Sequence, residues 1–262
     1  MYSLLTNQKT LVLADQAVYS GCGFAITLLL VRILSPEAFG IYASIVLFNY
    51  LMVSASNALV IQPFQVIQSK VKTRSTYLSF TFFSQLIITA ILLITTILLL
   101  QIEIEFLNNL NKSTSSILLL MSCFLLHDYF RKVFLAEAAV HKALVIDSIT
   151  GFLQTTIFIY CLLNYELQLA QVFLISGVSY LPALLVSAIY LNPSFQNKEN
   201  WSNYFQMHFK QGKWLLMTAI LQWWANNLFV IASGVFLGAI ALGALRLVQS
   251  IFGVLISVFS LL

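Results

Sequence analysis

Hydrophobic residues run along this chain in long unbroken stretches, not in alternation. Uncharged windows cover 16–31, 38–69, 75–102, 113–127, 148–165, 167–197, 214–245 and 247–262. A membrane-crossing helix needs about 20 mostly apolar residues, and each window has room for one. A membrane barrel strand would alternate apolar and polar residues over about ten positions. The run 87–100 has no such period. Helices are therefore predicted at about 12–34, 41–65, 77–101, 116–137, 146–164, 171–191, 214–236 and 241–262. The fold class is an all-α membrane protein with about eight transmembrane helices.

Composition sharpens this reading. Hydrophobic residues make up 60% of the 262 residues and charged ones 8%, and mean hydropathy is +0.91. An ordinary soluble domain is about 25% charged. A soluble globular enzyme, a disordered chain and a disulfide scaffold are excluded. With the N-terminus inside, ten Lys and Arg fall on the inner side, from Lys9 to Lys213, and only Arg32, Lys112 and Arg246 on the outer side. That bias predicts a cytoplasmic N-terminus. No cleavable leader precedes the first apolar run. Cys22, Cys123 and Cys161 all fall inside predicted helices, with neither a disulfide framework nor metal spacing.

The predicted helices group into an N-terminal six-helix lobe over 1–191, a linker over 192–213, and the first two helices of a second lobe over 214–262. Within the linker Trp201, Tyr204, Phe205 and Phe209 recur at helical spacing, so it reads as a short interfacial helix or a plain cytoplasmic connection. Pro182 is expected to kink the sixth span. Two outer turns resemble each other at an offset of 203 residues: Leu34-Ser35-Pro36-Glu37-Ala38-Phe39-Gly40 and Leu237-Gly238-Ala239-Ile240-Ala241-Leu242-Gly243. Both join two apolar spans, as internal repeats of transporters do.

The segment Val31-Arg32-Ile33-Leu34-Ser35-Pro36-Glu37-Ala38-Phe39-Gly40-Ile41-Tyr42 resembles the first-turn signature of bacterial polysaccharide flippases. These belong to the multidrug/oligosaccharidyl-lipid/polysaccharide exporter superfamily. Phe236-Leu237-Gly238-Ala239-Ile240-Ala241-Leu242-Gly243-Ala244 is similar to the turn that opens their second half. The basic stretch Lys70–Arg74 and the Arg131 region also fall where that family has them. The resemblance implies two six-helix lobes around a central cavity, and flipping of lipid-linked oligosaccharide units for surface polysaccharides such as O-antigen. Set against that pattern, a chain ending at Leu262 reads as one lobe and the first two helices of the next. The expected partners are a polyprenyl-linked oligosaccharide, membrane lipids, and a missing C-terminal half or polysaccharide assembly proteins. Nucleic acid is not among them.

The sequence contains no nucleophile triad, phosphate-cradling glycine loop or metal spacing, so neither an enzyme nor a cofactor is expected. Charge inside a membrane is the better pointer, because burying it there costs about 3 kcal/mol or more. Arg32 and Arg246 sit near outer helix ends, where they either snorkel to headgroups or grip a carrier pyrophosphate. His127, Asp128, Arg131 and Lys132 cluster on the fourth span, either as an inner anchor or as a headgroup site. Asp128 and Arg131 are three apart and close enough to neutralise each other. Asp15 reads as a first-turn acid, with cation coupling as the lesser option. The amides Asn49 and Asn57 on the second span, and Gln222 and Asn226 on the seventh, suit sugar hydroxyls or helix–helix contacts. A cation-coupled multidrug exporter is the alternative function, though few acids are seen in mid-span. A membrane partner protein that does not transport is the third reading.

Overall fold

The computed structural model describes residues 8–71, 73–101, 113–193 and 200–259, with only the backbone described at 8 and over 254–259. Every regular element among them is helical. In chain order they are α1 (Gln8–Ile33), α2 (Pro36–Ser56), a π turn (Asn57–Ile61), α3 (Gln62–Ile67), a 3-10 turn (Gln68–Lys70), α4 (Arg74–Leu100), α5 (Thr114–Ala136), α6 (Val140–Asn164), α7 (Leu169–Val178), α8 (Leu181–Leu191), α9 (Trp201–Leu237) and α10 (Ala239–Phe259). This is an all-α membrane protein. A helix lies at each of the eight places expected, but six are long and apolar enough to cross a membrane by length and composition. Those six are Lys9–Ile33, Pro36–Lys70, Arg74–Leu100, Val140–Asn164, Leu169–Leu191 and Trp201–Leu237. The α5 helix is not among them, because His127, Asp128, Arg131 and Lys132 crowd its last third.

Local chemistry accounts for the breaks. Ser35 caps α2, its hydroxyl accepting from the Ala38 amide at 3.2 Å, with Pro36 and Glu37 in the first turn. Capping is thus the physical content of the first-turn motif. Its counterpart near residue 238 uses a different device. Gly238 takes φ +86°, a left-handed conformation that favours glycine, and this separates α9 from α10. Pro182 has no N–H for the Val178 carbonyl, and α7 gives way to α8 there. Pro63 likewise offers nothing to the Leu59 carbonyl, and the chain passes through the π turn just before it. The freed Leu59 oxygen accepts instead from His208 Nδ1 at 3.3 Å, so His208 Nε2 accepts from the Tyr77 hydroxyl at 2.7 Å.

The linker expected over 192–213 is different in the structure. From Trp201 onward it is the first third of α9, which continues unbroken to Leu237. Lys210 and Lys213 interrupt the apolar run but are good helix formers, so hydropathy drops while the helix goes on. Tyr204, His208 and Gly212 face inward against α4 and the π turn, while Phe205 and Phe209 stay exposed. One end of the bundle is Lys-rich: Arg74 Nη2 meets Glu137 Oε1 at 2.6 Å, and Lys142 lies over the rings of Phe134 and Tyr190. Buried polar groups bridge helices in mid-bundle. The Ser56 hydroxyl donates to Gln85 Oε1 at 2.8 Å, and Gln85 Nε2 donates to Thr89 Oγ1 at 3.2 Å.

The last two helices lie against the first bundle. Helix α10 packs along α2 and touches α1, and α9 packs on α2, α3 and the π turn. The two similar turns meet face to face. A Cβ at Gly243 would lie 3.0 Å from Gly40 Cα, and one at Gly40 would overlap the Ala239 carbonyl. Gly40 and Gly243 hold equivalent places in the two turns, and they meet where α10 packs on α2.

Size is therefore the constraint at this crossing. Gly40→Val should destabilise the protein by about 1–3 kcal/mol, the usual cost of overpacking. Gly21→Ala, where the added methyl meets open space, should leave stability unchanged or slightly raised. Thermal unfolding of the purified protein followed by tryptophan fluorescence checks both.

Candidate functional site: a polar cavity over a buried ion cluster

A cavity of about 370 Å³ opens among α1, α2, α5, α6, the α7–α8 break and α10. Six phenylalanine and tyrosine side chains line it: Tyr19, Phe24, Tyr42, Tyr50, Phe124 and Tyr180. Its polar wall includes Asn49, Thr150, Gln154, His127, Asp147 and Arg246. Helix geometry explains the grouping. Asn49 and Tyr42 are seven apart on α2, and Asp147, Thr150 and Gln154 recur at three and four on α6, so each set shares a face. Asn49 is buried and its Oδ1 has no partner. Arg246 is half-buried, donates through Nη1 to Gln249 Oε1 at 2.9 Å, and lies 5.6 Å from the centre of the Tyr50 ring.

Beside the cavity lies a buried ion cluster built from three helices. Arg131 on α5 donates through Nη2 to Asp15 Oδ2 on α1 at 2.7 Å, and through Nε to Asp147 Oδ2 on α6 at 2.5 Å. The Tyr19 ring faces the guanidinium carbon at 4.2 Å, a cation–π contact. His127, one turn before Arg131, places Nε2 3.5 Å from Asp147 Oδ1. Asp15 and Asp147 are both 3% exposed. Asp128 turns away from this group and pairs with Lys132 at 2.8 Å, on the half-buried side of α5.

The eight residues singled out from sequence thus separate. Arg246 and Asn49 line the cavity, and Arg131 sits in the cluster that borders it. Asp128 pairs with Lys132 and leaves Arg131 to Asp15 and Asp147. Arg32 is exposed at the end of α1. Asn57 opens the π turn and is half-buried, away from the cavity lining. Gln222 and Asn226 are exposed on α9 and do not line the cavity either, while neighbouring Asn227 donates to its own helix at the Trp223 carbonyl. Asp15 is not the first-turn acid expected: α1 starts at Gln8, so Asp15 lies two turns inside it, as a buried partner of Arg131.

Asp147 is the residue that sequence reasoning passed over. It stands at the edge of an apolar window and reads as an interfacial charge. Its helix begins at Val140, though, which places it two turns inside. The pairing signal was present in the composition of the inner half-spans: three acids, Asp15, Asp128 and Asp147, against Arg131 and Lys132. The three cysteines are free, as expected, and Cys22 packs against Gly151 where α1 crosses α6. Among the described residues no group of three or more His, Cys, Asp or Glu is placed to hold a metal ion.

Removing one partner of a buried ion group leaves the others uncompensated, at about 3–5 kcal/mol. Arg131→Met should lose that much stability, or fail to accumulate as folded protein. Lys132→Met, which breaks a more exposed i,i+4 pair, should cost less than about 1 kcal/mol. Thermal unfolding in one detergent compares the two. Comparison with protein-family models, with curated proteins and with solved structures finds no match for this chain.

Proposed function

We propose that this protein takes part in moving a lipid-linked oligosaccharide across the cell inner membrane, for surface polysaccharide synthesis. One observation carries the reading: a half-buried arginine, Arg246, in the wall of a ligand-sized, tyrosine-rich cavity within an apolar helix bundle. Ligand pockets run from about 300 to 1,000 Å³, and this one is at the lower end. It suits a phosphate and its nearest sugar, with the rest of the glycan and the lipid tail outside. Arginine fits a phosphate because its planar fork donates two parallel hydrogen bonds. Tyrosine faces and the amides of Asn49 and Gln154 fit a sugar, which has apolar ring faces and hydroxyl edges. The resemblance of the 31–42 and 236–244 turns to flippase turns supports the same reading, and so does the meeting of Gly40 with Gly243 at equivalent places. The Lys and Arg distribution favours a cytoplasmic N-terminus.

A cation-coupled exporter of the same superfamily is the second reading, and a specific observation favours it. Asp147 lines the cavity and Asp15 stands just behind it, which puts acidic charge where a cationic solute would enter.

The two readings part at Arg246. In a strain lacking its polysaccharide flippase, the chain, supplied together with a second-lobe segment, should restore surface glycan. Arg246→Ala should cut that restoration about tenfold or more, matching loss of a charge-assisted hydrogen bond of about 1.5–3 kcal/mol. Arg246→Lys should keep part of it, and Arg32→Ala most of it. Drug resistance conferred without glycan restoration, and abolished by Asp147→Asn, would favour the exporter.

A further inference from the structure

Helix α9 carries amides where a membrane offers them nothing. Thr218, Gln222 and Asn226 follow one another at four-residue steps, so they form one stripe along the helix. All three are exposed, with exposed Ala225 beside them and exposed Phe229 one turn further on. The Thr218 hydroxyl is satisfied by its own helix, at the Trp214 carbonyl. Among the described residues neither the Gln222 nor the Asn226 carboxamide has a hydrogen-bond partner. Their depth makes this costly. Gln222 lies nine residues after Lys213, and Asn226 lies eleven before the end of α9 at Leu237. At 1.5 Å per residue, both amides stand at least about 13 Å from either end of that stretch. The hydrocarbon core is about 30 Å thick, so they fall at its middle, where no water meets an exposed amide.

The surroundings point to a missing helix. Tyr204, His208 and Gly212 are buried at one end of α9, and Val230 and Ser233 at the other, but no residue from 213 to 229 is. Other exposed faces are of a different kind. On α4 the outward side chains include Leu86, Ile87, Ile91 and Leu98, and Thr95 bonds its own helix at the Ile91 carbonyl. On α10 the exposed Gln249 already accepts from Arg246. The stripe also says what kind of helix covers it. A carboxamide both donates and accepts, so a row of them is complementary to its own image. Membrane insertion gives every copy of the chain the same orientation. A two-fold axis along the membrane normal then sets two α9 helices side by side, with like residues at equal depth. No charge on the stripe opposes this: Lys213, nine residues before Gln222, falls on the opposite side of the helix.

We infer that the middle of α9 is a self-association surface, on which a second copy of this chain docks through Gln222 and Asn226. Each carboxamide donates to, and accepts from, an amide of the second copy. Ala225 lets the two helices approach closely, and Phe229 packs one turn beyond. The surface goes beyond the transport reading and does not rest on it: the copies pair whatever solute the cavity takes.

Energy transfer between separately labelled copies of the full chain, diluted in phosphatidylcholine liposomes, reads the association without any substrate. Transfer should saturate as a dimer does. Gln222→Leu combined with Asn226→Leu should weaken association about tenfold or more, the scale of one or two interhelical amide bonds. Exchanging the two amides, Gln222→Asn with Asn226→Gln, should keep most of it. Helical circular dichroism checks that each variant folds, and neither replaced amide holds a bond within the described chain. Under mild oxidation Ala225→Cys should give a disulfide-linked dimer. Leu185→Cys, on the exposed face of α8, should not, and nor should the native cysteines. Transfer at the level of random encounters, association indifferent to the leucine changes, or equal linking from positions 185 and 225 would each overturn the inference. So would pairing seen only after a second-lobe segment is added, which would assign the stripe to that segment. A dimer that restores no glycan would sink the flippase reading and leave the docking surface standing.

Discussion

Arg131 holds the centre of this molecule. Its guanidinium ties α1 to α6 while being carried on α5, and all three helices border the cavity. Apolar packing alone does not select one arrangement of helices in a membrane, because lipid tails are as apolar as leucine. A buried ion group does select, since only one arrangement lets each charge meet its partners. The tightest apolar packing in the same region, Cys22 against Gly151 where α1 crosses α6, depends on that arrangement being chosen.

A second constraint sets where α10 lies. Gly40 and Gly243 leave no room for a side chain between α2 and α10. Close approach there brings Leu242 onto Gly234, with Ala43, Leu47 and Val230 in the same small apolar cluster. It also swings Arg246, one turn beyond Gly243, over the Tyr50 ring and into the cavity wall. The first-turn motif thus carries a packing glycine as well as its Ser35 cap, and Arg246 is placed by that packing. At the Lys-rich end the π turn does a comparable job. Pro63 frees the Leu59 carbonyl, His208 takes it up, and α9 is latched to the π turn and α4.

Much of this was legible in the sequence, for identifiable reasons. Helix number and placement followed from runs of apolar residues, a signal that tertiary context in a membrane does little to override. The kink at Pro182 and the break at Gly238 followed from backbone chemistry. The length of α9 did not, because hydropathy dips at Lys210 and Lys213 mark where membrane ends and not where helix ends. Side-chain partners were harder still. Along α5 alone, Asp128 had two cations within reach, and spacing could not choose between Arg131 and Lys132. The choice was made by carboxylates on α1 and α6, 116 and 16 residues away from Arg131 in the chain. Gln222 and Asn226 failed as cavity residues for the converse reason. They share a helical face, as read, but nothing local says which face of α9 turns toward α2.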